Sequence, residues 1–307
     1  MKTNQTIFAA AVVLFLGAGA VYSQQLYTES AETGLPFLRV TPSASTAALA
    51  GSGAALPGPS AQWLNPSLLA LRPERTAQFS HLLFVEGITQ EFASVSGKTG
   101  IGHLGASVQL YDSGNIAGYG DNALPTGDYS IKYVSLALTY ARLLTGDLAV
   151  GVTYKTLMEK IAEENASGYA VDAGIAWRTP LPGLSAGAAV RNLGRMGILH
   201  SGRTKLPADG SVGILYRGIV PNFGRGYALT ADYVVPRYGS QGVRMGVEVE
   251  PVDKFFVRAG YRSDNDFEHF SAGVGLILGM FTTDVSYTPM TEFSDNALRF
   301  TLSLAGF

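Results

Sequence analysis

Large apolar residues recur at every second position along most of this chain, with small or polar residues between them. Val134, Leu136, Leu138 and Tyr140 alternate with Ser135, Ala137, Thr139 and Ala141. The same period of two runs through 148–155, 169–178, 243–249, 255–261 and 281–287. Near the C-terminus, Leu298, Phe300, Leu302 and Leu304 alternate with Arg299, Thr301 and Ser303. In extended backbone this period sends the apolar set to one face and the small or polar set to the other. Further strands are predicted at 77–84, 89–99, 101–111, 184–193, 211–217, 227–235 and 270–278, which with the C-terminal strand at 297–304 makes about fourteen.

The connections fall into two sets that alternate between the ends of the strands. The longer set is 112–128, 160–166, 194–209, 236–242, 263–268 and 289–295; the shorter set is 145–147, 179–183, 251–254 and 279–280. Short inner turns and longer outer loops are the pattern of outer-membrane barrels. Two connections fit less well, 85–88 being short for an outer loop and 218–226 long for an inner turn. These are the places where a strand is most easily miscounted.

A soluble β-sandwich also alternates, but its outer face carries charge. Here charged residues are 15% of the chain, against roughly 25% in soluble domains. Glycine contributes 37 of 307 residues, well above the usual roughly 7%. Apolar residues facing lipid and small residues facing inward satisfy both observations. The expected fold is therefore all-β, a transmembrane antiparallel β-barrel of about fourteen strands.

The first residues read as an export signal. Lys2 precedes an apolar run at 7–16 and small residues at 17–20, with cleavage expected after Ala20 or Ser23. The run, roughly 10–14 residues, is too short to span a bilayer comfortably. The expected organisation is a signal at 1–23, a plug or inner lining at 24–76 and a barrel at 77–307. This places the protein in the outer membrane of a Gram-negative-type bacterium, in contact with lipid. Within the plug, 34–75 is rich in Ala, Gly, Ser, Pro and Leu and lacks alternation. A short helix of small residues is expected at 43–56. Asn65 and Pro66 mark the plug junction, because Asn caps a helix start and Pro fixes its first residue.

Chemistry-bearing motifs are weak. Gly183-Leu184-Ser185-Ala186-Gly187 has the spacing of a serine-hydrolase elbow, but the flanking pattern continues as a strand with no helix after it. Gly97-Lys98-Thr99 lacks the earlier glycine of a phosphate-binding loop, since Phe92 stands there. The histidines at 81, 103, 200 and 269 have no ligand spacing, and the chain has no cysteine. No catalytic residue, cofactor or metal site is expected. Net charge is −2, which gives no reason to expect nucleic acid. The charges that do occur mostly share the small-residue face: Lys155, Asp172, Arg178, Arg191, Asp232, Arg244, Glu248, Arg258, Asp284 and Arg299. Asp232, Arg244, Glu248, Arg258, Asp284 and Arg299 form the predicted lumen polar cluster. Arg258 and Arg244 are expected to pair with Glu248, Asp232 or Asp284. The cluster reads either as structural ion pairing or as the lining of a polar conduit.

Several short stretches resemble one family in their order. Gly34-Leu35-Pro36-Phe37-Leu38, the small-residue stretch from Ser43 to Gly51, and Trp63-Leu64-Asn65-Pro66-Ser67 are similar to the N-terminal signature of the PorV/PorQ outer-membrane proteins. Val190-Arg191-Asn192-Leu193-Gly194 and Arg258-Ala259-Gly260-Tyr261 continue the resemblance. It implies a FadL-like barrel with an N-terminal plug. It also implies an accessory, cargo-binding or shuttle role in type IX-like export to the cell surface, with exported protein or a secretion translocon as partner. The alternatives are a FadL-like passive transporter whose partner is a hydrophobic small molecule, and a purely structural barrel.

Overall fold

The computed structural model describes residues 33–72, 74–120, 124–200, 202–221, 224–291, 293 and 295–307. The export signal expected at 1–23 lies outside the described residues. Fourteen strands close into one antiparallel barrel. In chain order they are β1 Thr76–Leu83, β2 Thr89–Thr99, β3 Gly102–Asp112, β4 Ile131–Leu143, β5 Leu148–Ile161, β6 Glu164–Arg178 and β7 Leu184–Met196. The second half comprises β8 Asp209–Val220, β9 Arg225–Pro236, β10 Gly242–Val252, β11 Phe255–Arg262, β12 Phe270–Leu278, β13 Phe281–Thr288 and β14 Ala297–Ala305. Each strand pairs with its sequence neighbour, and β1 closes on β14 from Thr76↔Ala305 to Leu83↔Leu298. Two small hairpins, Ile116–Tyr119 with Pro125–Tyr129 and Ile198–Leu199 with Gly202–Arg203, stand in the outer connections.

Each predicted strand corresponds to one barrel strand, and the two doubtful connections resolve without a miscount. Residues 85–88 form a tight turn around the short 3-10 segment Val85–Gly87. The 218–226 connection shrinks because β8 runs on to Val220 and β9 starts at Arg225. The outer loop expected at 160–166 is a hairpin instead, since β5 and β6 continue pairing to Ile161↔Glu164. Ala162 turns the chain there with φ 52°.

Alternation sorts side chains as the pattern requires. Phe300 and Leu302 face outward, 43% and 46% exposed, while Arg299, Thr301 and Ser303 between them are buried. Leu136, Leu138, Tyr154, Ile175, Trp177, Val247, Val257 and Val274 extend the exposed apolar surface around the barrel. So much exposed apolar area would be untenable in water, and in lipid it is the favoured surface.

Residues 33–72 fill the lumen. They enter at the outer end, where the Gly34 amide donates to the Lys205 carbonyl. They leave near the inner end, where Arg178 donates to the Leu71 carbonyl. Regular structure is sparse: one-turn helices α1 Ala44–Ala47 and α2 Ala61–Leu64, and 3-10 segments Pro36–Leu38 and Pro66–Leu71. The short helix expected within 43–56 is the single turn Ala44–Ala47. Ala50 (φ 54°) and Gly51 (φ 75°) turn left-handed, and the next amides, Gly53 and Ala54, bond to Asp232 of the wall instead. Inward glycines permit this close docking. A Cβ on Gly151 would fall 2.5 Å from the Pro66 carbonyl carbon, and one on Gly246 would fall 2.7 Å from the Leu49 Cβ.

The outward face and the inward glycines give two expected outcomes. Leu302→Arg should destabilise the barrel by about 2–4 kcal/mol at mid-bilayer, read from reversible unfolding in lipid. Gly151→Ala should cost about 1–3 kcal/mol through overpacking against Pro66, with the barrel still migrating as a heat-modifiable species.

Candidate functional site

The lumen has two chemically distinct sides. On the β9–β14 side inward charges are concentrated, and Arg258 and Arg244 are paired with carboxylates. Arg258 on β11 donates Nε to Glu248 at 2.6 Å and Nη1 to Asp284 at 2.7 Å. Glu248 on β10 stands directly opposite Arg258, while Asp284 on β13 is reached across β12, where Gly275 leaves room for both side chains. Arg244 on β10 does not pair with Asp232. It forks onto Asp264, in the loop after β11, at 2.6–3.1 Å. Arg262 reaches the same carboxylate at 2.9 Å and Glu268 at 3.1 Å. Asp264 lies outside the strand pattern, so alternation gave no signal for it.

Asp232 is occupied by the plug. Its carboxylate oxygen Oδ2 accepts the Gly53 amide at 2.7 Å and the Ala54 amide at 2.9 Å. Arg299 also serves the plug, donating Nε to the Thr41 carbonyl at 3.1 Å. Asn65 is fully buried and holds the junction. Its Nδ2 donates to the carbonyls of Ala54 (2.7 Å) and Ile175 (3.0 Å), and its Oδ1 accepts from the Ser67 amide (3.1 Å) and hydroxyl (2.6 Å). Pro66 starts the 3-10 segment that follows. Two further buried pairs flank the bulge between β6 and β7: Lys155 with Asp172 at 2.7 Å, and Arg191 with Asp209 at 2.9 Å.

On the β3–β8 side the outer lumen is apolar. Leu35, Phe37 and Leu38 of the plug pack against Tyr133, Leu157, Ala170, Met196 and Leu206, with Tyr111 and Ile131 alongside. Phe37 and Tyr133 stack at 5.4 Å, and Tyr111 and Tyr133 at 5.1 Å. Tyr111, Tyr133 and Leu157 occupy the inward phase of their strands, where small or polar residues stand farther down. That reversal was readable in the sequence as large apolar residues out of step with Val134 and Leu136. Leu206 belongs to a loop, and nothing in the strand pattern marked it.

Leu206 closes a notch in the wall. β8 pairs with β7 only over residues 184–191. The outer part of β7, through Met196, pairs with β6 alone. Residues 204–208 fill the vacant edge, with Leu206, Pro207 and Ala208 buried. They are bonded by Thr204 Oγ1 to Glu159 at 2.7 Å, by Asn192 Nδ2 to the Pro207 carbonyl at 3.3 Å, and by the amides of Gly34 and Arg237 to the carbonyls of Lys205 and Ala208; the Lys205 ammonium also lies 5.0 Å from the Tyr238 ring centroid.

Among the described residues no group of three or more His, Asp or Glu is placed to hold a metal. Ser185 lies within β7, so the Gly183–Gly187 spacing belongs to a continuous strand and not to a nucleophile elbow. Thr99 ends β2, and Lys98 shows no cradle of a phosphate loop.

Solved structures share this fold. The CymD monoaromatic hydrocarbon channel matches with a TM-score of 0.62 at 12% identity, over 87% of this chain and 97% of that one. A Pseudomonas aeruginosa FadL homologue matches with a TM-score of 0.59 at 12% identity, over 87% and 98%. The Pseudomonas putida toluene transporter TodX matches with a TM-score of 0.55 at 11% identity, over 81% and 93%. At these identities the likeness establishes the fold, a FadL-like barrel. No family model matches the chain, and no curated protein does. The PorV/PorQ resemblance is thus supported in its FadL-like architecture and has no support as a family assignment.

The paired charges make two measurements decisive. Arg258→Met leaves Glu248 and Asp284 without their cation and should cost about 3–5 kcal/mol. Neutralising both carboxylates in the same variant should recover much of that loss in thermal unfolding. For Asp264, burial alone would raise the carboxyl pKa, but Arg244 and Arg262 outweigh it and hold the pKa below its ordinary 3.8. A depressed folded-state value stabilises the fold above pH 3.8 and is lost as pH falls through the folded value. The melting temperature of Asp264→Asn should therefore lie below wild type at neutral pH, and the two should converge as the solution is acidified below pH 3.8.

Proposed function

We propose that this protein is a passive outer-membrane channel for hydrophobic small molecules. The observation that carries the reading is the buried aromatic and aliphatic cluster at the outer end, lying directly behind the notch between β7 and β8. A polar solute gains nothing from such surroundings, whereas an apolar one exchanges water for ring faces and methyl groups. The cluster is closed in this structure, with Leu35, Phe37 and Leu157 at 0% exposure. Entry therefore requires a segment to move, and residues 204–208, which belong to no barrel strand, are the segment at the notch. The structural neighbours include a monoaromatic hydrocarbon channel and a toluene transporter, which supports the same class of solute.

The export role implied by the PorV/PorQ resemblance has no comparable support and is set aside. Cells exporting the wild type should take up labelled toluene faster than cells carrying an empty vector. Tyr133→Glu puts a carboxylate in the aromatic stack and should cut that uptake by about tenfold, equivalent to roughly 1.4 kcal/mol. Heat-modifiable mobility verifies that the variant barrel is folded. Equal uptake by wild type and vector would overturn the reading.

A further inference from the structure

A second feature lies at the outer end of the charged side, and it is independent of the solute path. A cavity of about 20 Å³ opens there between the plug and the wall, with room for one water-sized occupant. The guanidinium groups of Arg39, Arg244, Arg262 and Arg299 border it, together with the carboxylate of Glu268. Asp264 is engaged by Arg244 and Arg262, and Glu268 by Arg262. That leaves Arg39 and Arg299 with no carboxylate within 4.0 Å among the described residues.

The shortfall is one of charge, since several neutral acceptors are present. Arg299 is 2% exposed, and its hydrogen bonds go to the Thr41 carbonyl at 3.1 Å and the Thr288 hydroxyl at 3.4 Å. Arg39 donates Nη2 to the Tyr238 carbonyl at 2.9 Å, while its Nε is buried with no partner. The neighbouring carboxylates are committed elsewhere, Asp209 to Arg191 and Asp232 to the Gly53 and Ala54 amides. A buried cation without a counter-charge is costly. A water molecule in the cavity would satisfy donors but would not offset the charge.

We propose that this cavity binds a chloride-sized monovalent anion, which neutralises Arg39 and Arg299 and fastens the first stretch of the plug to the wall. Arg39, Arg299, Thr41 and Thr288 line the space, and their guanidinium N–H groups and hydroxyls can donate to an anion. The volume admits a single-atom ion and is too small for a carboxylate or phosphate. Arg39 and Thr41 belong to the plug, while Arg299 and Ser271 belong to β14 and β12. The ion would therefore bridge the two parts at the outer mouth.

The test melts the full chain in detergent micelles at constant ionic strength while gluconate is exchanged for chloride. The wild-type midpoint should rise and saturate with chloride. Arg299→Gln should abolish the dependence, and so should Arg39→Gln, a less buried position that puts the fold at less risk. Crystals grown in bromide should show an anomalous peak between Arg39 and Arg299. Identical melting in the two salts, an undiminished chloride response in both variants, or an ordered water with no bromide peak would each overturn the proposal.

Discussion

An irregular chain at membrane depth must find a partner for every backbone amide and carbonyl, because no bulk water is there to supply one. Residues 33–72 are such a chain. Their two helices are single turns, so regular structure satisfies few of their groups. The wall supplies much of the rest. Asp232 accepts two plug amides, and the hydroxyls of Thr301 and Ser271 accept those of Ala44 and Ala50. Gln109, Arg299 and Arg178 donate to the carbonyls of Phe37, Thr41 and Leu71. The inward face of the barrel thus does for the plug what a neighbouring strand does in a sheet.

This dependence changes the meaning of the lumen charges. A row of ionisable groups on inward strand positions invites comparison with a pore lining. Here Asp232 and Arg299 hold backbone, and Arg258, Glu248 and Asp284 neutralise one another beside it. Their spacing reflects where the plug passes. The same holds for the inward glycines: Gly151, Gly174 and Gly246 stand where Pro66, Asn65 and Leu49 come closest. High glycine content and low charge therefore have one physical origin, a lumen filled by protein within a wall that faces lipid.

The strand count was legible because period-two alternation is local: each residue's face depends only on its neighbours in sequence. Tyr133 was equally legible by phase. Asn65 and Pro66 were legible because a cap and its proline are adjacent. What was not legible depended on contacts between distant segments. Asp264 pairs with Arg244 across a loop, and Leu206 completes the apolar cluster from another. The short helix expected within 43–56 stops after one turn for the same reason. Its small residues favour a helix locally, but the Asp232 carboxylate on β9 draws the Gly53 and Ala54 amides away from the helical pattern, and left-handed Ala50 and Gly51 make the turn.

The way the lumen is held also bears on how it would open. From Ala44 to Leu71 the plug is bonded to strands on both sides of the barrel, and Asn65 makes four hydrogen bonds, three within the plug and one to the Ile175 carbonyl of β6. Displacing that stretch would strand many buried polar groups at once, each costing about 1–3 kcal/mol. The 204–208 segment is tied largely through its own backbone carbonyls, those of Lys205, Pro207 and Ala208. Its main buried contribution is the apolar contact of Leu206, which a hydrophobic solute could take over. On the proposed channel reading, opening at the notch would exchange like for like, and a solute would reach the outer cluster while the lower plug stays bonded to the wall.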